Sequence, residues 1–254
     1  MQTLVIDTSY GSTVGMVGRD PIVETDSRTH VEKLQVNIAK AVEDAGAKAD
    51  GIDRIIVGIG PAPFTGLRAG IVAAKALAYA TGAQLIGQNV LAPQCLVHAE
   101  PSDGRRHLTL AVNDARRRQL YFALYDGDNG HAARPDTLID MDIDYPDTIA
   151  ARVNTAVQNL TGSVGGEYVI DVVGHGAGKY AQSWNAIDSL GCVDDRALLD
   201  EGPDGLIRFA SFATSEQALA TSQPVEPLYL RRPDVSVPNP LKHVLNHAGA
   251  ERTE

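Results

Sequence analysis

Cysteine is nearly absent from this chain: 254 residues contain only Cys95 and Cys192. The two stand far apart and match no metal-binding or redox spacing, which argues against a disulfide framework and suits a reducing cytosol. Long apolar runs are lacking too. None reaches the roughly 20 residues that span a bilayer, so no membrane partner is expected. The opening Met1-Gln2-Thr3-Leu4 carries neither a basic stretch nor a cleavage-like site, and a cytoplasmic location is the expectation. Positive charge is also in short supply, with 22 Lys and Arg against 32 Asp and Glu and a formal net charge of −10. A protein that grips nucleic acid unaided shows a basic face. Here the basic groups are short, Arg116-Arg117-Arg118 and Arg231-Arg232, so autonomous nucleic-acid binding is not expected. What is present is ordinary for a folded protein: 44% apolar and 21% charged residues, over a length that fits two modest domains or one large one.

The most informative stretch is Gly60-Pro61-Ala62-Pro63-Phe64-Thr65-Gly66-Leu67-Arg68-Ala69-Gly70. It follows the apolar run Ile55-Ile56-Val57-Gly58-Ile59 and opens an alanine-rich helical run. Strand, tight turn and helix in this order aim backbone N–H groups at a cleft in α/β proteins. Upstream, residues 3–7 read as a buried strand, and 13–17 and 22–25 as further strands of a meander. Helical spacing sets in over 30–45, where Leu34, Ile38, Ala41, Val42 and Ala45 share one face, with Thr29 as N-cap and Gly46 as stop. A strand at 54–59, a helix at 68–81 and a strand at 84–87 follow. The second half restarts the pattern with strands at 107–113 and 119–125, a helix near 148–160 and a strand at 169–173. The fold class predicted is α/β, duplicated and two-lobed. An N-terminal lobe spans 1–104 and a C-terminal lobe 105–205. A helix and tail over 206–254 pack back on the first lobe, with an end expected to fray.

Several motifs could carry chemistry. Asp7-Thr8-Ser9 ends the first strand, where two-lobed ATP-binding folds hold a carboxylate near metal and hydroxyls near phosphate. An Asp capping a turn through its own side chain is the commoner explanation of so short a match. A nucleotide clamp needs a second glycine-rich turn in the other lobe. The matching turn, Asp114-Ala115-Arg116-Arg117-Arg118, has no glycine. Its arginines either bind an anion or form a solvated hairpin tip, and the solvated tip is the commoner case. Gly174-His175-Gly176-Ala177-Gly178-Lys179-Tyr180 fails as a phosphate loop, because three residues rather than four separate its flanking glycines and Tyr180 stands where Ser or Thr would hold magnesium. His30 has Leu34 at i+4, so the first helix supplies no metal pair, and no metal site is expected. The helix over 68–80 is apolar on nearly all sides and needs cover on nearly all sides. The helix over 30–45 and a separate chain are both candidates for that cover.

Four segments in order, Leu4-Val5-Ile6-Asp7-Thr8-Ser9, the loop from Gly60 to Gly70, Asp114-Ala115-Arg116-Arg117-Arg118-Gln119-Leu120-Tyr121 and Pro227-Leu228-Tyr229-Leu230-Arg231, resemble the TsaB (YeaZ) family, bacterial relatives of the glycoprotease-like TsaD proteins. The resemblance implies an actin-like, two-lobed fold of the ASKHA (ribonuclease H-like) kind with no catalytic centre of its own. Its implied role is to partner TsaD in placing threonylcarbamoyl on the adenosine 3′ of the anticodon in tRNAs that read ANN codons. TsaD would carry ATP, the metal and the transfer chemistry, and the small ATPase TsaE would join the complex. Contact with TsaD, or with a second copy as a homodimer, is implied through the two N-lobe helices. Carried onto this sequence, the interface takes His30, Leu34, Ile38, Ala41, Arg68, Ile71, Ala74, Lys75 and Ala78. The tripeptide Asp7, Thr8 and Ser9 is then a vestigial nucleotide loop, no cofactor is bound by the chain itself, and tRNA is met only through the complex. The chain departs from the family form GPGSFTGLR at Ala62 and Pro63. Proline removes a backbone donor and so weakens any anion cradle there.

The leading expectation is thus a non-catalytic partner subunit. The alternative is an ATP-dependent carbamoyl transferase or nucleotide hydrolase with Asp7 at a site between the lobes. A third reading, a metalloprotease, needs a ligand pair that the first helix lacks.

Overall fold

The computed structural model describes residues 1–26, 29–97, 105–127, 135–215 and 224–230. Two mixed sheets of five strands form the frame. In the first, β1 (Thr3–Asp7) pairs antiparallel with β2 (Ser12–Met16), and β2 with β3 (Ile22–Glu24). On its other side β1 runs parallel to β4 (Arg54–Gly58), which runs parallel to β5 (Gln84–Gln88). Helix α1 (His30–Asp44) joins β3 to β4, and α2 (Phe64–Thr81) joins β4 to β5.

The second sheet repeats the plan with β6 (Arg106–Asp114), β7 (Leu120–Asp126), β8 (Asp136–Asp144), β9 (Tyr168–Val173) and β10 (Leu190–Asp194). Its spatial order, β10-β9-β6-β7-β8, is the same as that of the first sheet with the corresponding strands substituted. Helix α3 (Pro146–Val164) stands in the place of α1, and the four-residue α4 (Ala181–Trp184) in that of α2. This duplicated topology is the two-lobed actin-like arrangement.

Packing follows the alternation of strand side chains. Leu4, Ile6, Ile55 and Val57 face α1 and α2 in one cluster, whereas Val5, Ile56 and Ile86 face Leu206, Phe209, Ala210 and Ala213 of α5 (Pro203–Ala213) on the opposite face. With both faces covered, β1 is buried at every position, the condition that makes such a strand read as a continuous apolar run. The second sheet covers one face with α3 and Trp184. Its other face places Ala111, Ala123 and Tyr125 against the turn Ala92–Leu96 and Phe212 of α5. Helix α5 therefore touches both lobes.

Local detail differs from expectation at identifiable points. Helix α2 starts at Phe64, not Arg68: Pro63 is its N-cap residue, Leu67 donates its amide to the Pro63 carbonyl at 3.3 Å, and Leu67 is the first side chain sunk in the core. Thr29 precedes α1 as foreseen, yet its side chain makes no capping bond. At the other end Gly46 takes φ 65°, and the bonds Gly46 N to Glu43 O and Ala47 N to Val42 O close the helix as a Schellman turn. Strands β8 and β10 had no sequence counterpart. Strand β8 is an edge with acidic residues at 136, 140, 142 and 144 and only partial burial, so its apolar signal is diluted by the charges that protect an edge.

Candidate functional site

Strand β1 delivers Asp7 to the floor of a cleft between the lobes. The neighbouring Gly58 makes room for it, since a Cβ there would lie 2.1 Å from Asp7 Oδ1. The carboxylate is closed on itself: Ser9 Oγ donates to Oδ2 at 2.7 Å, and the Ser9 amide to Oδ1 at 3.3 Å. Burial pushes the Asp7 carboxyl above the usual carboxylate range, against the opposing pull of the Ser9 bonds, the His175 charge and the Thr8 amide. Thr8 turns the other way, onto α2. A Cβ on Gly70 would come within 2.3 Å of Thr8 Oγ1, a buried hydroxyl without a hydrogen-bond partner among the described residues. The expected trio Asp7, Thr8 and Ser9 is therefore split between cleft and helix.

The opposite wall comes from the second lobe. His175 stacks on Tyr10 with centroids 4.0 Å apart and planes at 15°, and its Nε2 lies 2.8 Å from Asp200 Oδ2. Burial alone would raise Asp200. The hydrogen bond and charge of His175, with the Ala197 amide and the Arg196 charge, outweigh it and hold the carboxyl low. Asn113 Nδ2 donates across the lobes to the Pro61 carbonyl at 3.2 Å. Gln94 receives the Leu198 amide at 2.9 Å and donates to the Val90 carbonyl at 2.8 Å. Between these groups the cleft leaves about 20 Å³, room for about one water, whereas small-molecule sites run to roughly 300–1,000 Å³. Tyr10, Asn113, His175 and Asp200 escaped the sequence reading because they meet only across the lobes. A histidine in a glycine-rich turn was the one available signal.

The glycine-rich turn that could cradle phosphate is already engaged. Gly176 and Gly178 both donate their amides to Asp195 Oδ1, at 2.9 and 2.8 Å, so a carboxylate of the chain holds the place of an anion. Gly174, with φ 116°, packs so closely that a Cβ would sit 2.2 Å from the Val112 carbonyl oxygen. Lys179 Nζ donates to Asp114 Oδ2 at 3.0 Å instead of pointing to a ligand. The glycine-free turn between β6 and β7 has left-handed backbone at all three arginines, with φ 65° at Arg116, 52° at Arg117 and 63° at Arg118.

Among the described residues, no group of three or more His, Cys, Asp and Glu could hold a metal ion. One cluster resembles a nucleophilic site at first sight. Asp171 Oδ2 lies 2.6 Å from His107 Nδ1, and its Oδ1 accepts the Cys192 amide at 2.8 Å. Burial, followed by the hydrogen bond and charge of Asp171, pushes the Cys192 thiol up to about 12, the reverse of what a thiolate nucleophile needs.

The helix residues carried over as an interface divide sharply. Leu34, Ile38, Ala41, Ile71 and Ala74 are all buried in the first lobe's own core, and Ala78 packs half-buried against it. Five of the nine thus present no surface, because an amphipathic helix turns its apolar stripe toward the sheet it covers. Arg68 is exposed with its guanidinium 4.7 Å from the Phe64 ring centroid, and Phe64 stacks on Tyr229 at 5.1 Å. Lys75 pairs with Glu226 at 2.8 Å. The His30 side chain lies outside the described residues. The apolar side chains that face outward are others: Val36 at 67%, Val72 at 63% and Tyr79 at 94% exposure.

Comparison with known proteins adds the following. The family model described as "TsaD: tRNA N6-adenosine threonylcarbamoyltransferase" matches residues 22–160. An uncharacterized protein of Mycobacterium tuberculosis is 32% identical over 238 residues, covering 91% of this chain and 92% of its own. A tRNA N6-adenosine threonylcarbamoyltransferase of Dinoroseobacter shibae is 40% identical over 88 residues, 34% of this chain and 25% of that protein. Among solved structures, an uncharacterized Pseudomonas aeruginosa protein with similarity to peptidase YEAZ aligns at TM-score 0.64 and 21% identity, over 91% of this chain and 99% of that one. YeaZ from Pseudomonas aeruginosa aligns at TM-score 0.60 and 20% identity, over 90% and 99%.

Proposed function

The chain belongs to the family described as TsaD, tRNA N6-adenosine threonylcarbamoyltransferase, as a TsaB (YeaZ)-like member, and from that premise we propose that it is the accessory subunit of a threonylcarbamoyl transferase. In this reading it binds a TsaD-type catalytic subunit and supports transfer of threonylcarbamoyl to the adenosine 3′ of the anticodon in tRNAs that read ANN codons. It works in the cytoplasm. ATP and the metal belong to the catalytic subunit, and a TsaE-type ATPase joins the pair. The observation that carries the reading is the closed cleft. It leaves about 20 Å³, against roughly 300–1,000 Å³ for small-molecule sites, and the amides of the glycine-rich turn are held by Asp195.

The docking surface proposed is the outer face of α1 and α2, centred on Val36, Val72 and Tyr79 rather than on the buried Leu34, Ile38, Ala41, Ile71 and Ala74. The same face could serve a homodimer when the partner is absent. Light scattering after size exclusion, with the chain alone and mixed with the transferase, tests this. Val72→Glu and Tyr79→Asp alter exposed positions, so each variant should fold and fail to form the mixed species. Wild-type assembly by both variants would remove this face from the proposal.

A further inference from the structure

We propose that the tip of the β6–β7 hairpin, Arg116-Arg117-Arg118, is a contact for the phosphate backbone of the RNA substrate. The inference rests on the tRNA-modification reading above and gives that reading a surface.

In a chain with a net charge of −10, three adjacent arginines are an exception that needs a reason. All three are exposed. Arg116 and Arg118 form no ion pair among the described residues. The nearest acid in sequence, Asp114, is already taken, by Lys179 at 3.0 Å and by the Arg116 amide at 2.7 Å. A solvated turn gains nothing from arginine here. Left-handed backbone brings Cβ too close to the following carbonyl oxygen, and Gly, Asn or Asp would relieve that conflict. Three consecutive arginines keep it, with φ of 65°, 52° and 63°.

The tip is also held firmly. Ala115 donates to the Gln119 carbonyl at 3.0 Å and Gln119 to the Arg116 carbonyl at 3.0 Å, directly beyond the pair Asp114 and Leu120 that closes the ladder. A rigid element presents its side chains more accurately than a loose one. The guanidinium fork matches the geometry of a phosphate group. The tip lines neither the cleft between the lobes nor the groove beside α3. An exposed cationic tip suits an extended polyanion, and the net charge of −10 disfavours broad contact elsewhere on the chain.

The test is a fluorescence-anisotropy titration of a labelled, unmodified tRNA transcript at several KCl concentrations. It compares the wild-type chain, the triple variant Arg116→Asn/Arg117→Asn/Arg118→Asn, and the triple Arg→Lys variant, each alone and with the transferase. Asparagine accepts the left-handed backbone, so the first variant removes charge while keeping the turn. It should bind tRNA at least about tenfold more weakly at low salt, and the slope of log K against log salt should fall by roughly 1.4–1.8 for contacts from Arg116 and Arg118, since each phosphate contact contributes about 0.7–0.9. The lysine variant should keep most of that slope. An unchanged affinity and slope in the asparagine variant would overturn the proposal, as would loss of ATP binding with tRNA binding intact. Size exclusion with the transferase, run first, separates the two levels. A wild-type chain that does not assemble counts against the accessory-subunit reading. The tip is then judged on the chain alone at low salt, where an unchanged slope, or no measurable binding by the wild type, rejects it.

Discussion

Asp7 ends a strand covered on both faces, and burial raises its carboxyl above the ordinary value of 3.8 despite the two Ser9 bonds and the His175 charge. A carboxyl that holds its proton more tightly in the folded state than in the unfolded one favours folding at low pH. That contribution is lost as pH rises from the ordinary value through the raised one. Asp7→Asn removes the titration and keeps the shape. Its melting temperature is therefore expected to exceed that of the wild type at pH 7–8, with the difference closing toward and below pH 3.8. Thermal unfolding across pH measures this, and a difference that stays constant with pH would contradict it. Asp7 was legible as a candidate because an acid at the end of a buried strand breaks the apolar pattern. Its environment was not, since Gly58 and His175 reach it from other elements.

Helices α1 and α2 show how an element can be read correctly and oriented wrongly. The 3.6-residue period places Leu34, Ile38 and Ala41 on one face, and that face is the one the sheet covers. Leu34→Ala should destabilise the chain by about 2–5 kcal/mol, as truncation in a packed core does. Val72→Ala should leave stability within about 0.5 kcal/mol, as at other exposed sites. Urea unfolding of the two variants decides between them, and similar losses from both would refute the orientation. Periodicity marks which side chains share a face, but not whether that face meets the chain's own sheet or another protein. In α2 the ambiguity was deepest, because Val72 and Tyr79 add apolar surface on the side that no element among the described residues covers. The hairpin tip carries the complementary lesson. Its lack of glycine was visible, whereas the left-handed backbone of its three arginines was not.

For the molecule as a whole, the decisive property is how the lobes close. Tyr10 on His175, Asn113 on the Pro61 carbonyl and α5 against both sheets bring them together until about 20 Å³ remains. On the accessory-subunit reading, about 1 mM ATP with magnesium should leave the melting temperature unchanged. A site with a Kd a hundredfold lower would add about 2.7 kcal/mol, a rise of roughly 5–10 °C for a chain of this size. A rise of that order, abolished in Asp7→Asn, would restore the enzyme reading with Asp7 at its centre.

The sequence by itself determined the strands buried on both faces, the two long N-lobe helices, the repeat of the plan in the second half and the family. These depend on local pattern and on the order of short motifs, which one chain displays in full. Only the tertiary structure decided that the helix stripes face inward, that Asp195 fills the glycine turn and that Tyr10 and His175 shut the cleft. Each of those facts is a contact between residues far apart in the chain. Which distant groups meet is fixed by how the sheets and helices pack, not by the neighbours each residue has along the backbone.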